Sequence, residues 1–130
     1  MKKIKLRGLY KKVWGLWSEY IRRRSADWRG DVVCITCSRT FNWKELHAGH
    51  YRHGRLDVDP MNINPQCPGC NTYRDGMLNK YALKLIEMYG LNRVKDLEQR
   101  ADRELGGIKK YTRDYLEKKE QEIKELLKSL

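Results

Sequence analysis

Four cysteines and three histidines carry the reactive chemistry of this 130-residue chain. The cysteines form two Cys-x-x-Cys pairs, Cys34 with Cys37 and Cys67 with Cys70, and there is no fifth. Two intervening residues let both thiolates of a knuckle turn toward one ion. Two such knuckles complete the closed tetrahedral site of a structural Zn²⁺. A redox dithiol is the alternative, and it would require one pair to work alone. No apolar signal core follows the basic opening MKKIKLRGLYKK, so no export is expected. A cytoplasmic location keeps the four thiols reduced, which argues against a disulfide framework.

The two pairs are separated by 29 residues, more than a plain ribbon needs, so something is inserted between the knuckles. The insert holds all three histidines, His47, His50 and His53. A histidine at the end of a short strand, beside a loop, can act as general base on a water. A divalent cation opposite it can stabilise a phosphate transition state and the leaving oxygen. An asparagine at a helix start can bind such a cation, and a helix start also favours a phosphate. The chain offers these groups in the order His50, Asn62, Asn71, with Asn71 directly after the last cysteine. Arg74, one helical turn further, could grip a phosphate. Blander roles exist for most of them: His47 and His53 as surface or hydrogen-bonded side chains, Asn62 capping a turn, Asn71 capping a helix.

Charge points to the partner. The net charge of +11 is segregated: residues 1–30 carry +8, residues 31–70 are neutral and residues 71–130 carry +3. A basic end beside a neutral centre fits a polyanion, most simply DNA. With 35% charged residues and no apolar run near the ~20 residues that cross a bilayer, no membrane partner is expected.

The elements that must position these groups follow from periodicity. Leu6, Leu9, Tyr10, Val13, Trp14, Trp17, Tyr20 and Ile21 predict an amphipathic helix over about Arg7 to Ala26. Its aromatic stripe reads as core; Lys11, Lys12, Arg22 and Arg23 on the other side read as DNA contacts. Short strands are expected at Val32–Ile35, Thr40–Trp43 and Leu46–Ala48, with a loop from Gly54 to Met61; Arg52 before it and Arg55 within it are further DNA candidates. A helix should open near Pro68 or Gly69, with a break at Asp75-Gly76. Met77–Tyr89 is helical by pattern, and Gly90 is its C-terminal cap. Asn92 is placed to cap a helix from Arg93 to about Leu105, ending at Gly106-Gly107. The last helix, Ile108 to Leu130, either packs on the body or pairs with another copy, as in a homodimer. The fold class is α+β, mostly helical: a basic N-terminal helix (1–30), a small zinc-supported core (31–90) and C-terminal helices (91–130) that serve dimerisation or DNA binding.

The order of His50, Asn62, Cys67, Cys70, Asn71 and Arg74 resembles the HNH endonucleases, whose ββα-metal core often sits on two Cys-x-x-Cys knuckles. The segments VWGLWSEYIRRR, CITC, HAGHYRHGR, NINPQCPGCN and LIEMYG are similar in kind and order to phage recombination proteins of the NinG/Rap type, over roughly Val13 to Leu97. The resemblance implies a Mg²⁺- or Mn²⁺-dependent nuclease acting on branched DNA such as Holliday junctions or D-loops, in the cytoplasm of a bacterial or phage-infected cell. By position it implies His50 as general base, Asn62 as the residue holding the loop, and Asn71 as a ligand of the catalytic metal. The sequence departs from the broad pattern at Gly49, where many members carry an Asp or His as second ligand. His47 is the first replacement to consider, with His53 and Asp57 after it. Two other functions stay open: a zinc-ribbon DNA-binding accessory protein without catalysis, and an HNH nuclease of the nicking, homing or restriction kind acting on linear duplex.

Overall fold

The computed structural model describes residues 3–104 and 110–130. The order of elements is α1 (Leu6–Arg23), β1 (Asp31–Val33), β2 (Thr40–Asn42), β3 (His47–His50), β4 (Ile63–Gln66), α2 (Leu78–Tyr89), α3 (Leu91–Arg103) and α4 (Arg113–Lys128). The chain is thus α+β and mostly helical, with two small antiparallel sheets, β1–β2 and β3–β4.

Helix α1 buries Leu9, Val13, Trp17 and Ile21, a four-residue spacing drawn from its sequence stripe. These side chains meet Ile63 of β4 and Leu116 and Ile123 of α4. Of the two roles open for the last helix, the structure has α4 packed on α1, with Lys12 Nζ and Glu120 Oε2 paired at 2.9 Å across the contact. Thr112 caps α4, its Oγ1 accepting from the backbone N–H of Tyr115 at 3.1 Å. The helix therefore starts later than periodicity suggests. Leu105 to Lys109, including the expected Gly106-Gly107 stop and Ile108, lie outside the described residues.

A second cluster joins α2 and α3 to the histidine loop: Tyr81, Leu85, Val94, Leu97 and Ala101 pack with Tyr51, Leu56 and Met61. Asn92 does not cap α3. Gly90, at φ +90°, ends α2 by donating its N–H to Ile86 O and directly precedes Leu91. A positive φ without a Cβ penalty turns the chain in one residue, so no separate cap is needed. Asp75-Gly76 does interrupt the chain: Asp75, Gly76 and Met77 all take positive φ between the helical turn Gly69–Tyr73 and α2.

Candidate metal centre and active site

The first knuckle grows out of the β1–β2 hairpin. Cys34 N–H donates to Arg39 O at 2.9 Å, and Ser38 at φ +63° turns the chain back. Ile35 N–H donates to Pro65 O at 2.8 Å, which ties this knuckle to β4. The second knuckle begins where β4 ends, so register alone brings Cys67 beside Cys34: the backbone N–H of Cys67 meets Cys34 Sγ at 3.3 Å. All four Sγ atoms lie within 4.8 Å of one another, and Cys37 Sγ and Cys67 Sγ are 3.8 Å apart. A tetrahedron with Zn–S bonds of about 2.3 Å has edges of about 3.8 Å. The four thiols can therefore hold a structural metal ion such as zinc. Without an ion the thiols differ in acidity. Burial and the neighbouring Cys34 push the Cys37 thiol up, and burial does the same to Cys67. Burial also opposes ionisation of Cys34, but backbone N–H groups of Cys37 and Cys67 and the Thr36 hydroxyl outweigh it and bring that thiol down. Four thiolates so close need a cation among them.

Strand β3 packs against α1 and is paired with β4 through His47–Gln66, Ala48–Pro65, Gly49–Asn64 and His50–Ile63. A cleft of about 400 Å³ opens on it, lined by Tyr10, Trp14, His50, His53, Asp57 and Asn71 among others. His50 is held from two sides. Its ring stacks on Trp14 with centroids 5.1 Å apart, and its Nε2 lies 3.0 Å from Asp57 Oδ1. The other Asp57 oxygen accepts from the Tyr10 hydroxyl. Burial raises the Asp57 carboxyl, but the hydrogen bonds from His50 and Tyr10 outweigh it and hold it below the ordinary carboxylate range. An ionised Asp57 can only accept, so Nε2 of His50 carries the proton and Nδ1 keeps the lone pair in the neutral ring.

Asn71 reaches the same cleft from the helical turn after the second knuckle. Its Nδ2 lies 3.0 Å from Nδ1 of the exposed His47. The structure thus brings His50, His53, Asp57, Asn71 and His47 together. Asn62 lies beneath them, fully buried. Its Oδ1 accepts from Arg52 N–H at 2.8 Å and its Nδ2 donates to the carbonyls of Arg52 and Arg55 at 3.1 and 2.8 Å, closing the base of the loop. Arg74 lines a separate surface hollow with Leu78 and Lys80.

Several expected DNA contacts are engaged within the chain. Arg52 pairs with Asp102 at 2.5 Å, and Arg55 donates to Ala101 O at 2.8 Å, so both fasten the loop to α3. Lys12 is paired with Glu120, Arg23 with Glu19 at 2.8 Å, and Arg22 donates to Ser18 and Trp43 carbonyls. Lys11 is exposed. Asp57, a metal-ligand candidate, has each oxygen in a hydrogen bond with a protein group, His50 Nε2 on one and the Tyr10 hydroxyl on the other. Tyr10 and Trp14, read as core, do pack partly buried against the α1 cluster, and they also line the cleft. Their helical spacing matches the core stripe, and nothing in the sequence separates the two roles.

Gly49 has a steric cause. A Cβ there would stand 2.1 Å from Gln66 Oε1 and 2.9 Å from Gln66 Cβ. Gln66 is fully buried and donates to Thr36 Oγ1 at 3.1 Å and Gly76 O at 2.8 Å, so the space is filled by a neighbour locked in place. Position 49 has no room for a ligand side chain.

No described helix is long and apolar enough to cross a membrane, and no solved structure matches the chain. Among curated proteins it is similar to Protein ninG of Salmonella phage P22, 33% identical over 108 residues that make up 74% of this chain and 51% of that protein. It is also similar to Protein ninG of Escherichia phage 933W, 32% identical over 113 residues (78% and 54%), and of Escherichia phage lambda, 31% identical over 113 residues (78% and 53%). The chain spans about half the length of these curated relatives. The family model described as Bacteriophage Lambda NinG protein matches residues 1–130, and the chain belongs to that family.

Proposed function

We propose that this protein is a metal-dependent endodeoxyribonuclease that hydrolyses phosphodiester bonds in branched recombination intermediates, of the Holliday-junction or D-loop kind. One observation carries the reading: His50, clamped between Trp14 and Asp57, faces a cleft that Asn71 enters from the turn following a four-cysteine centre. The order β3, β4, knuckle, helical turn is the order a ββα-metal nuclease requires. His50 Nδ1 takes the proton of the attacking water, and Asp57, with Tyr10 behind it, stabilises the imidazolium that results. Asn62 keeps the loop closed so that His50 and Asp57 stay in register. Asn71 and His47 would hold the catalytic Mg²⁺ or Mn²⁺. These two side chains lie side by side, and two protein ligands suit a cation that completes its shell with water and substrate phosphate. When bound, that cation stabilises the charge on the phosphate and on the leaving oxygen. Zinc in the four-cysteine centre is structural.

The test is cleavage of a four-way junction and of the matching linear duplex with Mg²⁺ or Mn²⁺, using His50→Ala as control. The expected result is junction cleavage by the wild type, loss of at least about 10²-fold in His50→Ala, and DNA affinity retained. Wild-type protein that binds DNA and cuts neither substrate overturns the enzyme reading. Equal cleavage of both substrates overturns branch selectivity alone.

A further inference from the structure

At the end of α1 remote from the N-terminus, the turn between Asp27 and Asp31 presents a tryptophan to solvent. Trp28 is 87% exposed, the most exposed large apolar side chain among the described residues. Its turn is firmly built: Asp27 Oδ1 accepts from the N–H groups of Arg29 and Asp31 at 2.9 and 3.0 Å, and Gly30 N–H donates to Asp27 O at 2.9 Å. The Arg29 guanidinium lies 4.9 Å from the centre of the indole. Gly30 O accepts from the backbone N–H of Trp43 at 2.9 Å, which sets a second indole beside the turn. Around that ring stand Arg22, Arg23 and Lys44, at 5.3, 5.4 and 5.8 Å from its centre. The carboxylates here are largely occupied, Glu19 by Arg23 and Asp27 by its own turn; Asp31 and the exposed Glu45 are the others.

An exposed tryptophan loses by facing water, and a rigid turn spends none of its freedom when something covers the ring. Cations interleaved with aromatic rings are the combination that holds single-stranded nucleic acid: the rings take bases and the cations take the flanking phosphates. A base inside a duplex is stacked on both faces and cannot reach such a ring. We propose that Trp28 is a stacking platform for an unpaired DNA base, with Arg29 and Lys44 binding the adjoining phosphates. The inference rests on the DNA substrate proposed above and adds the feature recognised: an unpaired nucleotide, as at a branch point.

The test is binding, not cleavage, in the His50→Ala protein. Anisotropy is measured on a labelled duplex carrying a short unpaired bulge and on the same duplex without it. Trp28→Ala is expected to weaken the bulged complex by about tenfold or more and the perfect duplex by less than about twofold, with Trp28→Phe restoring most of the loss. Tryptophan fluorescence should be quenched by the bulged DNA and much less so in Trp28→Ala. Equal weakening on both DNAs, or none on either, overturns the proposal. So does dissociation of an oligomer by Trp28→Ala with DNA affinity unchanged, which would make the ring an interface between copies. Absence of DNA binding by the His50→Ala protein and the wild type alike removes the DNA reading itself, and this inference with it.

Discussion

Gly49→Ala is a small change with a large expected cost. The new methyl would stand 2.1 Å from Gln66 Oε1, 2.9 Å from its Cβ and 3.1 Å from its Cδ. Gln66 cannot step aside cheaply, because it is fully buried and its amide is shared between Thr36 and Gly76. Moving it forfeits two buried hydrogen bonds at about 1 kcal/mol each, and overpacking adds about 1–3 kcal/mol, so the total is about 3–5 kcal/mol. For a domain of this size that is a fall in Tm of roughly 10–15 °C. The assay is thermal unfolding of the zinc-loaded protein within a double-mutant cycle. Gln66→Ala removes the two contacts to Oε1 and Cδ, leaving the one to Cβ, which a small backbone shift relieves. Gly49→Ala should therefore cost much less on the Gln66→Ala background, with a coupling of at least about 1.5 kcal/mol. A Tm for Gly49→Ala within about 2 °C of wild type, or additivity within about 0.5 kcal/mol, refutes the steric account. An aspartate or histidine at position 49 would meet the same wall.

Three further outcomes are expected. Asp57→Asn should lower cleavage by about 10²–10⁴-fold with DNA affinity kept, since an amide can donate to Nε2 and move the proton onto Nδ1; wild-type rates in this variant would remove Asp57 from the mechanism. Cys37→Ser, or metal removal by a chelator, should release one zinc per chain and broaden or abolish the cooperative thermal transition; an unchanged melting curve would make the four thiols incidental. Lys12, followed by Lys124, holds the Glu120 carboxyl below its ordinary value, so the contribution of Glu120 is present above the unfolded carboxylate pKa and lost as pH falls through the lower folded one. The Tm difference between wild type and Glu120→Gln should accordingly be constant near neutrality and vanish in acid; a difference unchanged from pH 7 to pH 3 contradicts the pairing.

The sequence by itself determined the local features. Periodicity marked the buried stripe of α1, Gly90 the end of α2, and Asp75-Gly76 the break before it, because each depends on side-chain spacing or backbone freedom over a few residues. The cysteine spacing likewise signalled a four-thiol site, since the geometry of a knuckle is built into its two-residue gap. Tertiary structure decided what distant segments do to one another. Tyr10 and Trp14 fit a core stripe, and only the docking of α1 against β3 turns them toward His50. Asp57 reads as a spare ligand in the sequence, and only the fold sets its two oxygens between His50 and Tyr10, 7 and 47 residues away. Arg52 and Arg55 read as phosphate contacts, and only the fold shows that α3 also gives each a partner within the chain. Gly49 reads as a missing ligand until Gln66, from the neighbouring strand, is seen to fill its place. Such pairings depend on how packed elements face each other, and side-chain spacing along one element carries no record of that.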